Sequence, residues 1–190
     1  MVMQIDYYYS LAEKTLSEYR FHHSKMVAKA AKELAFKYGA DIEKAELAGI
    51  LHDITKEESQ NNQLQLLHEN GIMLDSVTKS NEKILHAVSG AAYAEFKLGI
   101  KDRDVIDAIR FHTTAKADMS LLQKIVFVAD FISEDRNYPD IEIMRQEAEK
   151  SLEHGMKYAL SFVIKSLASQ GRCIHPDAID AYNEIIMKGI

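Results

Sequence analysis

Eight histidines occur in a chain of 190 residues, and four of them stand in apolar surroundings. His52-Asp53 closes the apolar stretch Ala48-Gly49-Ile50-Leu51. His23 lies in Arg20-Phe21-His22-His23-Ser24, His86 in Ile84-Leu85-His86-Ala87-Val88, and His112 in Ile109-Arg110-Phe111-His112-Thr113-Thr114. Asp130 sits inside Val126-Phe127-Val128-Ala129-Asp130-Phe131-Ile132, where a carboxylate is costly unless it meets a cation. Four imidazoles and two carboxylates can hold two divalent ions, with one carboxylate bridging. Imidazole suits iron, zinc, cobalt and nickel, and carboxylates extend tolerance to manganese and magnesium. Two neighbouring ions can share a water, lower its pKa and present hydroxide to a phosphorus centre. That chemistry is phosphoester or phosphoanhydride hydrolysis. Each residue alone has a duller reading: a histidine near an apolar face is more often a satisfied core group, and Asp130 suits a buried arginine equally well. In this order, at spacings of 29, 33, 26 and 18 residues, the set is harder to dismiss.

Helices must position these groups. Apolar residues recur at helical spacing from Ser24 to Tyr38, with Gly39 as the stop. Asp41 is placed to cap a helix running through Ala45, Ala48 and Gly49 towards His52. Further helices are predicted between Lys56 and Asn70, from Glu82 to Leu98 behind Asn81, and from Asp102 to Phe111. Leu121 to Ile132, opened by Ser120, is apolar nearly all round and therefore central. Glu142 to Lys150 reads as a charge-rich, solvated helix, and Leu152 to Leu167 as an amphipathic one with its apolar stripe on the core. Pro176 suits a first helical position and starts the last helix, to Met187. Loops are expected after Asp53 and over Ser133 to Asp140, both directly beyond candidate site residues. Tyr7, Tyr8 and Tyr9 either cap the core or line a face for self-association. His68 and His154, on polar stretches, are read as solvated.

Composition narrows the class. Two prolines and eight glycines are too few for the turns of a β-sandwich or barrel, so an all-α fold is expected. With 47% hydrophobic residues one sizeable core can form, and 190 residues suit one domain. A net charge of −6 argues against a broad nucleic-acid-binding face, though a local basic cluster can still hold a small anion. The single cysteine, Cys173, rules out an internal disulfide and a multi-thiolate zinc site, and reads as a reduced thiol in a cytoplasmic protein. The opening Met1 to Tyr9 has neither a basic start nor an apolar run, so no signal peptide is expected there. No apolar run is long enough to span a membrane. No clear seam marks a homodimer, which stays open.

The order His, His-Asp, two separated His, then Asp resembles the HD superfamily of metal-dependent phosphohydrolases, in its two-metal branch. The chain is most similar to the YqeK-like symmetrical bis(5′-nucleosyl)-tetraphosphatases. Arg20-Phe21-His22-His23-Ser24, Leu51-His52-Asp53-Ile54-Thr55-Lys56, Ile84-Leu85-His86, His112-Thr113-Thr114, Ala129-Asp130-Phe131-Ile132-Ser133-Glu134-Asp135-Arg136 and Ile174-His175-Pro176 carry the likeness, over about residues 15 to 187. The resemblance implies a single HD phosphohydrolase domain over 1–190, with core motifs in 20–136 and C-terminal helices 151–188 packed on it. It implies hydrolysis of diadenosine tetraphosphate to two ADP, with iron as the preferred metal and manganese or cobalt as substitutes. His23, His52, Asp53 and Asp130 would hold one ion. Asp53, His86 and His112 would hold the other, with Asp53 bridging. Lys56 and Arg136 would reach the phosphates, with Thr113 adding a hydroxyl. Arg20 is either a phosphate contact or the partner of a carboxylate, and His175 either fixes a turn or meets the nucleotide. The alternatives are an HD phosphohydrolase of a mononucleotide or cyclic dinucleotide, and a nucleotide-sensing protein without turnover. Ala115 stands where the family usually has glycine, and Thr55 where alanine is commoner.

Overall fold

Helix caps and apolar spacing set the order of elements. The structure, a computed structural model, describes residues 5–190. The first four residues, on which the signal-peptide expectation partly falls, lie outside the described residues. The helices are α1 (Ile5–Thr15), α2 (Glu18–Tyr38), α3 (Ile42–Leu51), α4 (Gln60–Glu69), α5 (Ser76–Lys79), α6 (Glu82–Ala92), α7 (Arg103–Phe111), α8 (Leu121–Ile132), α9 (Ile141–Lys150), α10 (Leu152–Ser169) and α11 (Pro176–Met187). No strand occurs among the described residues. The all-α expectation therefore holds.

α8 is central, as its sequence predicts. Ile125, Val126, Phe127, Val128 and Ala129 are fully buried. α8 packs against α2, α3, α7, α9 and α10. Its start is fixed by a capping box between Ser120 and Gln123. α2 and α3 lie unusually close, because a Cβ on Gly49 would meet the Cα of Ala28 at 2.7 Å. A smaller apolar cluster of Leu66, Leu67, Leu85, Val88 and Ala92 ties α4 to α6. α10 packs on α8, α9 and α11.

Several boundaries differ from the reading of the sequence. α2 begins at Glu18, not Ser24, because the Ser17 side chain caps it by accepting from the Arg20 backbone N–H. His23 thus lies inside the helix rather than at its start. α4 begins only at Gln60, because the chain after Asp53 is spent in tight turns, with Lys56 N–H donating to Asp53 O (2.9 Å) and Glu58 N–H to Thr55 O (3.1 Å). The helix expected to reach Leu98 stops at Ala92 and widens into a π-turn over Tyr93–Lys97, closed by Leu98 N–H donating to Tyr93 O (3.1 Å). α9 is not wholly solvated, since Met144 and Ala148 are buried against its neighbours. α10 buries Leu152, Met156, Ala159 and Leu160, but Val163 and Leu167 at its far end are only half-buried. Of the tyrosines, Tyr8 enters the core, Tyr7 is half-exposed and the Tyr9 hydroxyl donates to Glu46 (3.0 Å).

Candidate metal centre

Five helices contribute to one buried polar cluster. α2 carries His23. α3 ends at Leu51, directly before His52 and Asp53. α6 carries His86, α7 ends directly before His112, and α8 carries Asp130 in its last turn. His23, His52, His86, His112 and Asp53 are all buried. The imidazoles stand in a row, with ring centroids 5.2 Å apart for His23 and His52, 4.9 Å for His52 and His112, and 5.1 Å for His112 and His86.

The Nε2 atoms face the carboxylates. His23 Nε2 is 3.0 Å from Asp130 Oδ1, and His52 Nε2 lies between Asp53 Oδ2 (3.5 Å) and Asp130 Oδ1 (3.8 Å). On the other side of Asp53, its Oδ1 is 3.0 Å from His86 Nε2 and 3.5 Å from His112 Nε2. His23, His52 and Asp130 form one group able to share an ion; His52, Asp53 and His112 form another. His86 Nε2 reaches His112 Nε2 (3.1 Å) and also accepts from the Lys56 ammonium (2.9 Å).

The far side of the rings is held by the backbone. His52 Nδ1–H donates to Gly49 O (2.8 Å) and His112 Nδ1–H to Ile109 O (2.7 Å). A donor at Nδ1 leaves the Nε2 lone pair free to face inward, the tautomer a metal ligand needs. His52 Nε2 and Asp53 Oδ1 are buried without a hydrogen-bond partner. Leaving such atoms unmatched costs on the order of 1–3 kcal/mol each, which a cation between them would offset. The donor set and its orientation therefore fit divalent metal.

Charge follows the same logic. Burial alone would push the Asp53 carboxyl up, but the charge of His52 and the close approach of the His112, His52 and His86 rings hold it well below the usual carboxylate range. Burial would likewise raise Asp130, and Arg136, His23 and His52 outweigh it. Burial lowers His86 to about 4, against the pull of Asp53. His112 is also lowered, chiefly by burial. Both thus favour the neutral form that binds metal.

Three cations surround the carboxylates. Arg20 Nη1 donates to Asp53 Oδ2 (2.8 Å), so the arginine is the partner of a carboxylate. Lys56 Nζ lies 3.7 Å from Asp53 Oδ1. Arg136 donates through Nη2 to Asp130 Oδ1 and through Nε to Asp130 O (2.7 Å). Arg20, Lys56 and Arg136 are each partly open to solvent, so they line the way in.

Two predicted contacts stand differently. The Thr113 hydroxyl is buried without a hydrogen-bond partner, next to His112 in sequence. His175 stands outside the cluster: it caps α11, with Asp177 N–H donating to its Nδ1 (3.2 Å), and its Nε2 lies 3.2 Å from both Asp75 Oδ2 and Thr78 Oγ1. It borders a cavity of ≈ 250 Å³ shared with Arg110, Phe111 and Thr114. A larger cavity of ≈ 490 Å³ beside α10, lined by His154, Tyr158 and Phe162 among others, holds none of the clustered residues. His68 is exposed, whereas His154 is half-buried and meets Ser151 Oγ through Nδ1 (2.9 Å).

Both departures from the family pattern have a structural account. Ala115 has φ 55°, in the left-handed region where glycine is free of Cβ strain. Its methyl is fully buried. Thr55 donates its hydroxyl to His86 O (3.0 Å) and contacts Ser89 Oγ (2.8 Å), tying the turn after Asp53 to α6. Sequence reasoning missed Gly49, whose close packing and carbonyl both serve His52, and Asp135, whose Oδ2 accepts from His23 Nδ1–H at 2.7 Å. Asp135 lies in a motif quoted above, but nothing in its spacing said which ring it would face.

Comparison with known proteins agrees with this arrangement. The HD domain family matches residues 20–135, a span that contains every member of the cluster. The symmetrical bis(5′-nucleosyl)-tetraphosphatase of Halalkalibacterium halodurans is 39% identical, covering 94% of this chain and 95% of that protein. The protein of the same name from Bacillus subtilis is 32% identical over 92% of this chain and 93% of its own length. A crystal structure from Clostridium acetobutylicum, of an HD superfamily hydrolase described as involved in NAD metabolism, superposes with a TM-score of 0.94 at 31% identity, over 99% of this chain and 100% of that one. Matched nearly end to end by such relatives, and carrying the His-Asp pair at the junction of five helices, the chain belongs to the HD domain family and groups there with the symmetrical bis(5′-nucleosyl)-tetraphosphatases.

Proposed function

We propose that the protein is a metal-dependent hydrolase that splits diadenosine tetraphosphate, and similar dinucleoside polyphosphates, into two nucleoside diphosphates. The observation that carries this is the convergence of four imidazoles and two carboxylates on one buried site, in a chain whose relatives are named for that activity. Metal dependence follows from the HD domain and from the donor set.

His23, His52, Asp53 and Asp130 are proposed to hold one divalent ion, and Asp53, His86 and His112 a second. Bound divalent ions would supply an activated water near neutral pH and offset charge on the phosphate chain. The protein's own part is positioning. Gly49 and Ile109 carbonyls fix the ring tautomers of His52 and His112. Lys56 and Arg136 face the phosphates at the mouth and, with Arg20 held on Asp53 beside them, concentrate positive charge locally, despite a net charge of −6 for the whole chain. Thr113 adds a hydroxyl beside His112. His175 is assigned to the nucleoside rather than the phosphates, since it borders the cavity that also holds Phe111 and Arg110. Asp53 and Lys56 are the catalytic residues of the proposal, the first as the shared carboxylate and the second as the cation at the reacting phosphates.

Iron is the proposed metal, by the resemblance, with manganese or cobalt able to replace it. One observation favours a second reading of the metal number: the Lys56 ammonium, 2.9 Å from His86 Nε2 and 3.7 Å from Asp53 Oδ1, sits where it could take the place of the second cation. Metal analysis of protein purified without chelator separates the two, because His86→Ala lowers the ion count only if His86 is a ligand.

The chain from 1 to 190 is read as one catalytic domain, with motifs in 20–136 and helices in 151–188 packed on it; the packing of α10 on α8 and α9 supports this. Among the described residues no helix is long and apolar enough to cross a membrane. A cytoplasmic location fits the lone, exposed Cys173. No nucleic-acid partner is proposed, and a homodimer is left to sizing in solution. The test of function is a panel of dinucleotides, mononucleotides and cyclic dinucleotides with product analysis. Two identical diphosphates from the dinucleoside tetraphosphate are expected. Orthophosphate release from mononucleotides, or binding without turnover, would overturn the assignment.

A further inference from the structure

We infer that Asp135 is a positioning residue of the metal centre, fixing His23 in the ring tautomer and orientation that an ion at His23, His52 and Asp130 requires. The inference rests on the metal-binding reading above and deepens it. His52 and His112 are oriented by neutral carbonyls of their own helices, three residues back. His23 is oriented instead by a carboxylate from another element, 112 residues away in sequence, at 2.7 Å.

Several observations separate this contact from a surface ion pair. His23 is 1% exposed and the Asp135 side chain 10%. The second oxygen of Asp135 is buried with no hydrogen-bond partner. The contact to the His23 ring is thus the one hydrogen bond found for this side chain among the described residues. Asp135 provides an acceptor for Nδ1–H, which turns the Nε2 lone pair towards Asp130, 3.0 Å away. A negative partner also makes the ring more electron-rich than a carbonyl would, and so a stronger ligand.

The loop holding Asp135 has a second grip on the same group. Arg136 Nη2 lies 3.3 Å from His23 Nε2 and bonds Asp130. Asp135 therefore stands behind the ring and Arg136 in front of it. The loop between α8 and α9 sets the ring from one side and presents a phosphate-binding guanidinium from the other. Arg145 steadies its root, donating to Ile132 O (3.2 Å) and Ser133 O (3.1 Å).

The experiment compares wild type with Asp135→Ala and Asp135→Asn, each stripped of metal and titrated with manganese(II) against a chelator. Asp135→Ala is expected to weaken binding about 10- to 100-fold at one class of site. Asp135→Asn, whose amide oxygen still accepts from Nδ1–H, is expected to recover part of the loss. Thermal melting in excess chelator is read in parallel, and the metal-free Asp135→Asn protein should melt close to wild type. Manganese affinity unchanged in both variants, while wild type binds the ion, would overturn the role of Asp135. Failure of wild type itself to bind manganese, iron or cobalt would instead overturn the metal-centre reading.

Discussion

At the scale of single residues, Asp53 carries the most weight, because it is the one carboxylate within 3.5 Å of three of the four imidazoles. Replacing it with alanine removes that shared group and strands Arg20 without its partner. Asp53→Ala should therefore lose bound metal and at least about 1,000-fold in turnover, the scale of losing an electrostatic stabiliser in a closed site; metal analysis and steady-state kinetics check it. The pH behaviour of metal-free protein follows from His86. In the unfolded chain the ring takes a proton near 6.5, whereas in the fold it does so only at about 4. Between these values the unfolded state binds more protons, so stability rises with pH and falls as acid is added. The lowered Asp53 and Asp130 carboxyls act in the same direction at the acid end. Melting in chelator should drop by several degrees from pH 7 to pH 5 for wild type, and less for His86→Gln. The six ligand candidates were legible because each put a costly polar group into an apolar run. Asp135 and the orienting carbonyls of Gly49 and Ile109 were not, since a contact to a ring nitrogen depends on packing that no spacing encodes.

At the scale of elements, the junction of α2 and α3 matters most. His23 comes from one and His52 from the end of the other. Their separation is set by Gly49, where any side chain meets the Ala28 backbone rather than a flexible tip. Gly49→Ala should destabilise by about 1–3 kcal/mol through overpacking, seen as a fall in melting temperature of roughly 2–12 °C. It should also weaken metal binding, since the Gly49 carbonyl orients His52. Elements with a capping residue and a regular apolar stripe, such as α3, α7, α8 and α11, were readable almost to the residue. α1 escaped because its tyrosines suggested an apolar patch, and its packing on α3 comes from the tertiary structure. α5 is a single turn, too short to show a period. The π-turn at Tyr93–Lys97 needs one extra residue per turn, which an apolar pattern of helical period does not distinguish.

At the scale of the whole molecule, the fold is a scaffold that brings residues from positions 20 to 136 to one point and closes the core behind them with α10. Because the ions would bind the folded state and join five helices, metal should raise stability. At a hundredfold excess over the dissociation constant the gain is about 2.7 kcal/mol, or roughly 5–10 °C in melting temperature for a chain of this size. Differential scanning calorimetry with and without manganese checks it. The most direct test of the central claim is ADP release from diadenosine tetraphosphate by metal-stripped protein as iron, manganese or cobalt is restored. ADP should be the only nucleotide product, absent under chelator and returning in proportion to the ion added. Undiminished release under chelator, or cleavage to AMP and ATP, would contradict the account.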